Sequence, residues 1–285
     1  MARKKRRNVK KTGGKAAKTM AQRADRHDLY ERSVQGCDSD VEFFQETYEA
    51  IRGGTPTVFR EDFCGTAKLS ATWCRVDPSR RAVGVDLDGP TLGAALERNL
   101  TADVVDRITL LEQDVREPVS IKADVACAMN FSYFVFKSRS ELLSYFKAAR
   151  KGLKSEGLLF LEVYGGQEAM EELEEERELD GFTYVWEQES FDPLTHDTLC
   201  HIHFRFPDGS EMSNAFTYEW RWWSVPELRE LCLEAGFSDV RVFWESMEED
   251  PDDPESLQGS GEYEDVTDAP QENQESWLAY VVAVR

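Results

Sequence analysis

Between residues 58 and 163 the chain repeats one pattern: a short apolar run, then a helical stretch, then another apolar run. Val58-Phe59 opens the first run. Arg81–Leu87 (RAVGVDL), Ile108–Glu112, Ala123–Asn130 (ADVACAMN) and Leu158–Val163 supply four more. Helical patterns lie between them at Ala67–Cys74, Pro90–Leu100 and Arg139–Leu153, the last with an apolar stripe at Leu142, Leu143, Phe146 and Leu153. Strands without polar alternation must be buried on both faces. Strands joined by helices run parallel, so the pattern predicts a mostly parallel sheet covered by helices on each side. With 285 residues, 41% of them hydrophobic, the chain can bury one sizeable core and carry an elaboration of it.

The flanks read differently. Residues 1–23 are charged and lack apolar periodicity, which predicts a disordered basic tail. Residues 24–55 form an N-terminal helical segment ended by Gly53-Gly54 and Pro56, and residues 56–164 form the alternating core. After Gly165-Gly166, Glu168–Glu178 reads as an acidic, solvated helix. Phe182–Glu189, Leu199–Phe206 and Glu211–Trp220 read as three extended runs separated by turn signals, so residues 165–223 are expected to be an antiparallel β-rich insertion or lid after strand five. Residues 224–285 hold a closing helix and a strand pair, with 245–275 as a mobile acidic loop. Together these give a seven-stranded sheet.

Charge and cysteine usage narrow the setting. The net charge is −21, yet residues 1–23 carry ten Lys/Arg and no acid, which leaves 24 bases against 55 acids in the rest. Such a body repels nucleic acid, so any RNA partner must be attracted by the tail. Six cysteines without a C-x-x-C pair suggest a reducing, cytoplasmic location. The strongest apolar stretch, Leu158–Tyr164, is interrupted by Glu162, and no run is long enough to span a bilayer, so no membrane partner is expected.

Three positions carry the candidate chemistry. The first is the turn Arg60-Glu61-Asp62-Phe63-Cys64-Gly65-Thr66-Ala67 directly after the first strand, where backbone N–H groups can approach a ligand closely. The second is Val83-Gly84-Val85-Asp86-Leu87-Asp88, a buried strand ending in an acid some 20 residues past Gly65, the spacing expected of a carboxylate that grips ribose hydroxyls. The alternative for Asp86 or Asp88 is capping of the next helix. The third is Glu112-Gln113-Asp114-Val115 at the carboxyl end of the third strand.

The order EDFCGTA, VGVDLD, EQDV, ADVACAMNFS and KGLKSEGLLFLE resembles class I S-adenosylmethionine-dependent methyltransferases, of an uncharacterised small-molecule branch, over residues 56–164, with 224–284 similar to the closing elements. The resemblance implies a Rossmann-like α/β fold and S-adenosylmethionine as methyl donor. It implies a cofactor set in which Glu61 lies near the methionine moiety and Gly65, between Cys64 and Thr66, lies beside the aminoacyl end. Asp86, followed by Leu87, would bind ribose, Asp114 and Val115 would contact adenine, and Asn130 would face both methionine and acceptor. Phe63 and Ala67 stand where the family usually has glycines, which predicts a wider turn or a shifted cofactor. A dinucleotide would need a glycine near Phe63 for its pyrophosphate, whereas a sulfonium suits an acidic pocket.

On the acceptor side, His201 and His203 alternate on one strand and share a face, which makes them candidate general bases if that face meets the cleft. Asn130 and Tyr133 are further catalytic candidates, with Tyr133 and Phe134 expected to line the cleft. The aromatic set Tyr184, Trp186, Phe216, Tyr218, Trp220, Trp222 and Trp223 suits a flat or cationic acceptor, or ordinary packing. No metal-ligand cluster is evident around Cys200-His201-Ile202-His203. The leading expectation is methyl transfer to a small molecule. The alternatives are an RNA- or ribosome-directed methyltransferase using residues 1–23, and a protein that holds S-adenosylmethionine without catalysis.

Overall fold

The computed structural model describes residues 18–249 and 257–285. The first strands form as the apolar runs dictate: β1 (Val58–Asp62), β2 (Arg81–Asp86), β3 (Ile108–Glu112), β4 (Ala123–Ala128) and β5 (Leu153–Gly165). All five pair in parallel, in spatial order 5-4-1-2-3, so the chain reverses direction across the sheet between β1 and β4. Ligands of open α/β sheets bind at such a switch point, outside the carboxyl ends of the strands.

Helices cover both faces. α2 (Cys37–Arg52), α3 (Lys68–Val76) and α4 (Gly89–Arg98) bury Val41, Phe44, Trp73 and Leu92 on one face. α5 (Arg139–Gly152) and α6 (Val225–Glu234) bury Leu142, Phe146, Leu228 and Leu231 on the other. Both α5 and α6 begin with a capping box, Ser138 with Glu141 and Ser224 with Glu227, which satisfies first-turn N–H groups that the helix leaves free. The preceding helix α1 (Arg26–Val34) packs away from this core, onto the insertion and the strand ends.

The insertion is a separate antiparallel sheet of four strands, not three: β6 (Leu173–Leu179), β7 (Phe182–Phe191), β8 (Asp197–Arg205) and β9 (Glu211–Arg221), paired in that order. The acidic stretch expected to be helical is a short 3-10 turn at Glu168–Met170 followed by β6. Glutamates favour helix locally, but pairing of β6 with β7 overrides that preference. Arg205 stitches the strand's solvent face by ion pairs to Glu174 and Glu176.

The main sheet closes with β10 (Asp239–Glu249) and β12 (Trp277–Val284), and β12 runs antiparallel to β5. It has eight strands rather than seven, because part of the expected acidic loop is β11 (Leu257–Asp265), hydrogen-bonded to β10. The apolar contacts of Tyr263 with Phe43 and Tyr280 hold that hairpin down. Of the basic tail, residues 1–17 lie outside the described residues. Residues 18–23 are not free chain as expected: the Met20 and Ala21 N–H groups donate to Asp208 and Ser210 of the insertion. Among the described residues no helix is long and apolar enough to cross a membrane.

Candidate active site

The turn after β1 has an unusual backbone. Phe63, Gly65 and Ala67 all adopt left-handed conformations, with φ of 59°, 51° and 52°. Phe63 and Ala67 therefore take the conformation that glycines would take, at a cost of about 1–2 kcal/mol each. The turn is held by Cys64 N–H donating to the Val85 carbonyl at 3.0 Å and Ala67 N–H donating to the Cys64 carbonyl at 2.7 Å. Gly84 allows this close approach, since a Cβ there would lie 2.8 Å from Cys64 Sγ.

Asp86, at the end of β2, binds the same turn. Its carboxylate accepts Gly65 N–H at 2.8 Å and Asp88 N–H at 2.9 Å. Glu61 accepts the Ser70 N–H at 2.9 Å and the Ser70 hydroxyl at 2.5 Å, and its burial pushes the carboxyl up to about 8. Thr66 donates its hydroxyl to Glu31 of α1 at 2.6 Å, and Asn99 bridges Glu31 and the Thr66 carbonyl. This contact fixes α1 as a roof over the turn.

At the end of β4, Asn130 and Phe131 are also left-handed, with φ of 51° and 57°. The Asn130 N–H donates to the carboxylate of Glu162 on β5. Glu162 is 9% exposed, and burial pushes its carboxyl up to about 8.

One cavity of about 750 Å³ joins these groups. Its floor is Glu61, Cys64, Gly65, Thr66, Asp86, Asn130 and Glu162. Its roof is α1 (His27, Tyr30, Val34) with β9 (Phe216, Tyr218, Trp220), and its far wall is Asp40, Glu245, Tyr263 and Tyr280. A side cavity of about 230 Å³ continues from it past Tyr184, Trp186 and Ile202. Seven carboxylate residues line the main cavity (Asp40, Glu61, Asp62, Asp86, Asp88, Glu162 and Glu245) against one arginine, Arg26. Of these acids, Asp62 is already paired with buried Arg60, and the rest leave the cavity wall richer in acidic than in basic groups.

Six sequence-predicted residues thus converge: Glu61, Cys64, Gly65, Thr66, Asp86 and Asn130. The others do not line the cavity. Leu87 is 69% exposed on the outside of the β2 turn. Asp114 is tied to Arg116, which holds its carboxyl low, and the Val115 carbonyl accepts buried Arg60 at 2.9 Å. Tyr133 and Phe134 are fully buried beneath the floor, and the Tyr133 hydroxyl donates to the Glu162 carbonyl at 2.8 Å.

His201 and His203 do share a face, but it is the one away from the cavity. Their cross-strand neighbours are Glu187, Val185 and Thr217, whereas Trp186, Ile202 and Phe216 point to the opposite side. His201 Nε2 lies 2.8 Å from Glu189, and His203 Nε2 lies 2.8 Å from Glu187. The aromatic set divides. Tyr184, Trp186, Phe216, Tyr218 and Trp220 line the cavities, while Trp222 and Trp223 are buried, donating to the Tyr164 and Phe136 carbonyls.

Sequence reasoning missed Glu162, His27, Tyr30, Asp40 and Glu245. Glu162 had a signal, because a lone acid inside a buried apolar strand has to be serving a site. His27, whose basicity is lowered by burial and by Arg26, reaches the cavity only through the tertiary placement of α1.

No protein-family model matches the chain. It is 25% identical over 197 residues, 66% of this chain and 76% of the other, to YqeM of Bacillus subtilis (strain 168), a protein named provisionally as a methyltransferase. The fold is similar to a crystal structure of an S-adenosylmethionine-dependent methyltransferase from Clostridium acetobutylicum ATCC 824, with TM-score 0.61, 15% identity, and 90% and 96% of the two chains covered. It is also similar to the sugar N-methyltransferase KedS8 from Streptoalloteichus sp ATCC 53650, with TM-score 0.59, 18% identity, and 100% and 98% covered. The chain has the class I fold of S-adenosylmethionine-dependent methyltransferases.

Proposed function

We propose that the chain transfers a methyl group from S-adenosylmethionine to a small molecule held beneath α1 and the insertion. The observation that carries this reading is the single cavity running from the Gly65–Asp86 turn to the aromatic roof, large enough for a donor and a small acceptor together. Its excess of carboxylates fits a sulfonium-bearing donor and argues against a dinucleotide. The left-handed turn at Phe63 and Ala67 supports it too, since both residues hold a backbone conformation open to glycine where the resemblance expects glycines. That one structural neighbour acts on sugars is in keeping with a small acceptor.

Each residue then has a task. Asp86 accepts ribose hydroxyls with the carboxylate lone pairs left by Gly65 and Asp88. Gly65, lacking a side chain, leaves room at the aminoacyl end, near Glu61, Cys64 and Thr66. Asn130 and Glu162 face the acceptor. Bound here, S-adenosylmethionine supplies an electrophilic methyl carbon. The roof excludes water and holds the acceptor in line with that carbon, which is the main demand of a direct displacement.

Calorimetric titration with S-adenosylmethionine and with NAD tests the reading. Binding of the former alone is expected, followed by transfer of labelled methyl into a small-molecule fraction. Folded protein that binds no S-adenosylmethionine at millimolar ligand would overturn it.

A further inference from the structure

We propose that the methyl acceptor is an amine, that it enters as its ammonium ion, and that Glu162 both holds it and takes its proton. This rests on the methyltransferase reading and names the substrate class of the same cavity.

The argument begins with what Glu162 lacks. It is 9% exposed, inside the buried stretch 157–163 of β5, and its carboxylate accepts one hydrogen bond among the described residues, the Asn130 N–H. Glu162 lines the cavity, and among the described residues its other oxygen has no hydrogen-bond partner and no Lys or Arg pairs with it. A carboxylate desolvated in this way is costly unless a cation completes it.

The groups facing Glu162 all make the same demand. Asp40 on α2 and Glu245 on β10 add negative charge, and Tyr263 on β11 and Tyr280 on β12 add phenols. Cys127 on β4 lies beneath, Tyr133 beside it, and Tyr30 of α1 above. Each of these groups is neutral or negative. Burial raises Asp40 to about 6 and Glu162 to about 8, as expected of acids crowded together without a counter-ion. The roof carries Arg26 and His27 of α1 beside an aromatic pair, Tyr218 and Trp220, stacked at 4.4 Å between centroids, and aromatic faces attract ammonium ions. An alcohol would leave the acids unpaired, and a glutamate is too weak a base to activate it.

The step balances with the donor already proposed. One ammonium N–H proton passes to the Glu162 carboxylate. The freed nitrogen lone pair forms the N–C bond as the methyl carbon–sulfur bond breaks and its electron pair stays on sulfur. The products are an N-methylammonium ion and S-adenosylhomocysteine. Glu162, raised toward neutrality, is matched to receive that proton.

Benzylammonium and benzyl alcohol, alike in shape and different in charge, are suitable probes. Titrated calorimetrically into protein saturated with S-adenosylhomocysteine, benzylammonium is expected to bind at least about tenfold more tightly. Glu162→Gln should abolish that preference and leave S-adenosylmethionine affinity within about twofold. Wild-type protein offers a check that needs no variant to fold: between pH 6.5 and 8.5 benzylammonium affinity should rise several-fold as Glu162 ionises, while benzyl alcohol binding stays flat. Equal affinity for the two probes, a flat amine profile, a preference that survives Glu162→Gln, or an equal loss of S-adenosylmethionine binding in that variant each overturns the proposal. If the protein binds neither S-adenosylmethionine nor S-adenosylhomocysteine, the methyltransferase reading falls with it. If both bind and the charge preference is absent, this inference alone falls.

Discussion

Arg60 Nε lies 2.7 Å from Asp62 Oδ1, and both side chains are buried beneath the end of β1. The pair is part of a larger network. The other Asp62 oxygen accepts the Tyr145 hydroxyl at 3.0 Å, and Arg60 also donates to the Val115 carbonyl. Removing one partner strands a buried charge, so Asp62→Ala should destabilise the fold by about 3–5 kcal/mol. Urea unfolding measures this. A loss near 1 kcal/mol would mean that Arg60 finds another partner.

The Asp86 carboxylate binds the Gly65 turn from the next strand. Asp86→Ala should therefore weaken S-adenosylmethionine binding by about 1–3 kcal/mol, the scale for buried donors left unpaired. Calorimetry at fixed pH reads the change, and an unaltered affinity would remove Asp86 from the site.

Legibility in the sequence followed how local each cause was. The parallel core could be read because buried strands such as Ala123–Ala128 have no polar alternation. Gly65 and Asp86 could be read because turn chemistry and chain spacing place them at neighbouring strand ends. β6 could not, because Leu173–Leu179 is helix-favouring by itself and extended only against β7. Alternation told that His201 and His203 share a face, but which face is set by packing of the whole insertion on the core. His27 and Tyr30 were hidden for the same reason, since α1 is seated by the Glu31–Thr66 contact across 35 positions of sequence. Asp114 and Val115 kept their strand-end position, yet Arg116 and Arg60 occupy their polar groups.

Stability should depend on pH through Glu61. Burial raises its folded pKa to about 8, above the ~4.3 of an unfolded glutamate. Between these values the native chain keeps a proton that the unfolded chain releases. The stabilisation is complete below about 4.3 and is lost as pH rises through about 8. Glu162 and Asp40 act in the same direction. Ligand-free protein should show a urea midpoint that falls from pH 5.5 to 8.5, and Glu61→Gln should flatten the fall. A midpoint that rises over this range would contradict the burial of these acids.

His201 and His203 make a sharp negative case. Each is buried and bonded to a glutamate, the arrangement a catalytic imidazole often has, and they sit on β8, the strand beside the roof strand β9. Their face decides against a catalytic role. Glu187 and Glu189 hold their Nε2 atoms on the side opposite Trp186 and Ile202, and neither ring lines the cavity, although Thr217, bonded to His201, borders it. The double variant His201→Gln, His203→Gln should keep its methyl-transfer rate within about twofold, far from the 10²–10⁴ loss expected of a general base. It should lose stability instead, by about 1–3 kcal/mol, because Gln cannot keep both ring contacts of each histidine. Rate and urea midpoint measured on the same preparation separate the two outcomes. A rate loss of a hundredfold at unchanged stability would require the insertion to turn over during catalysis and bring that face to the acceptor.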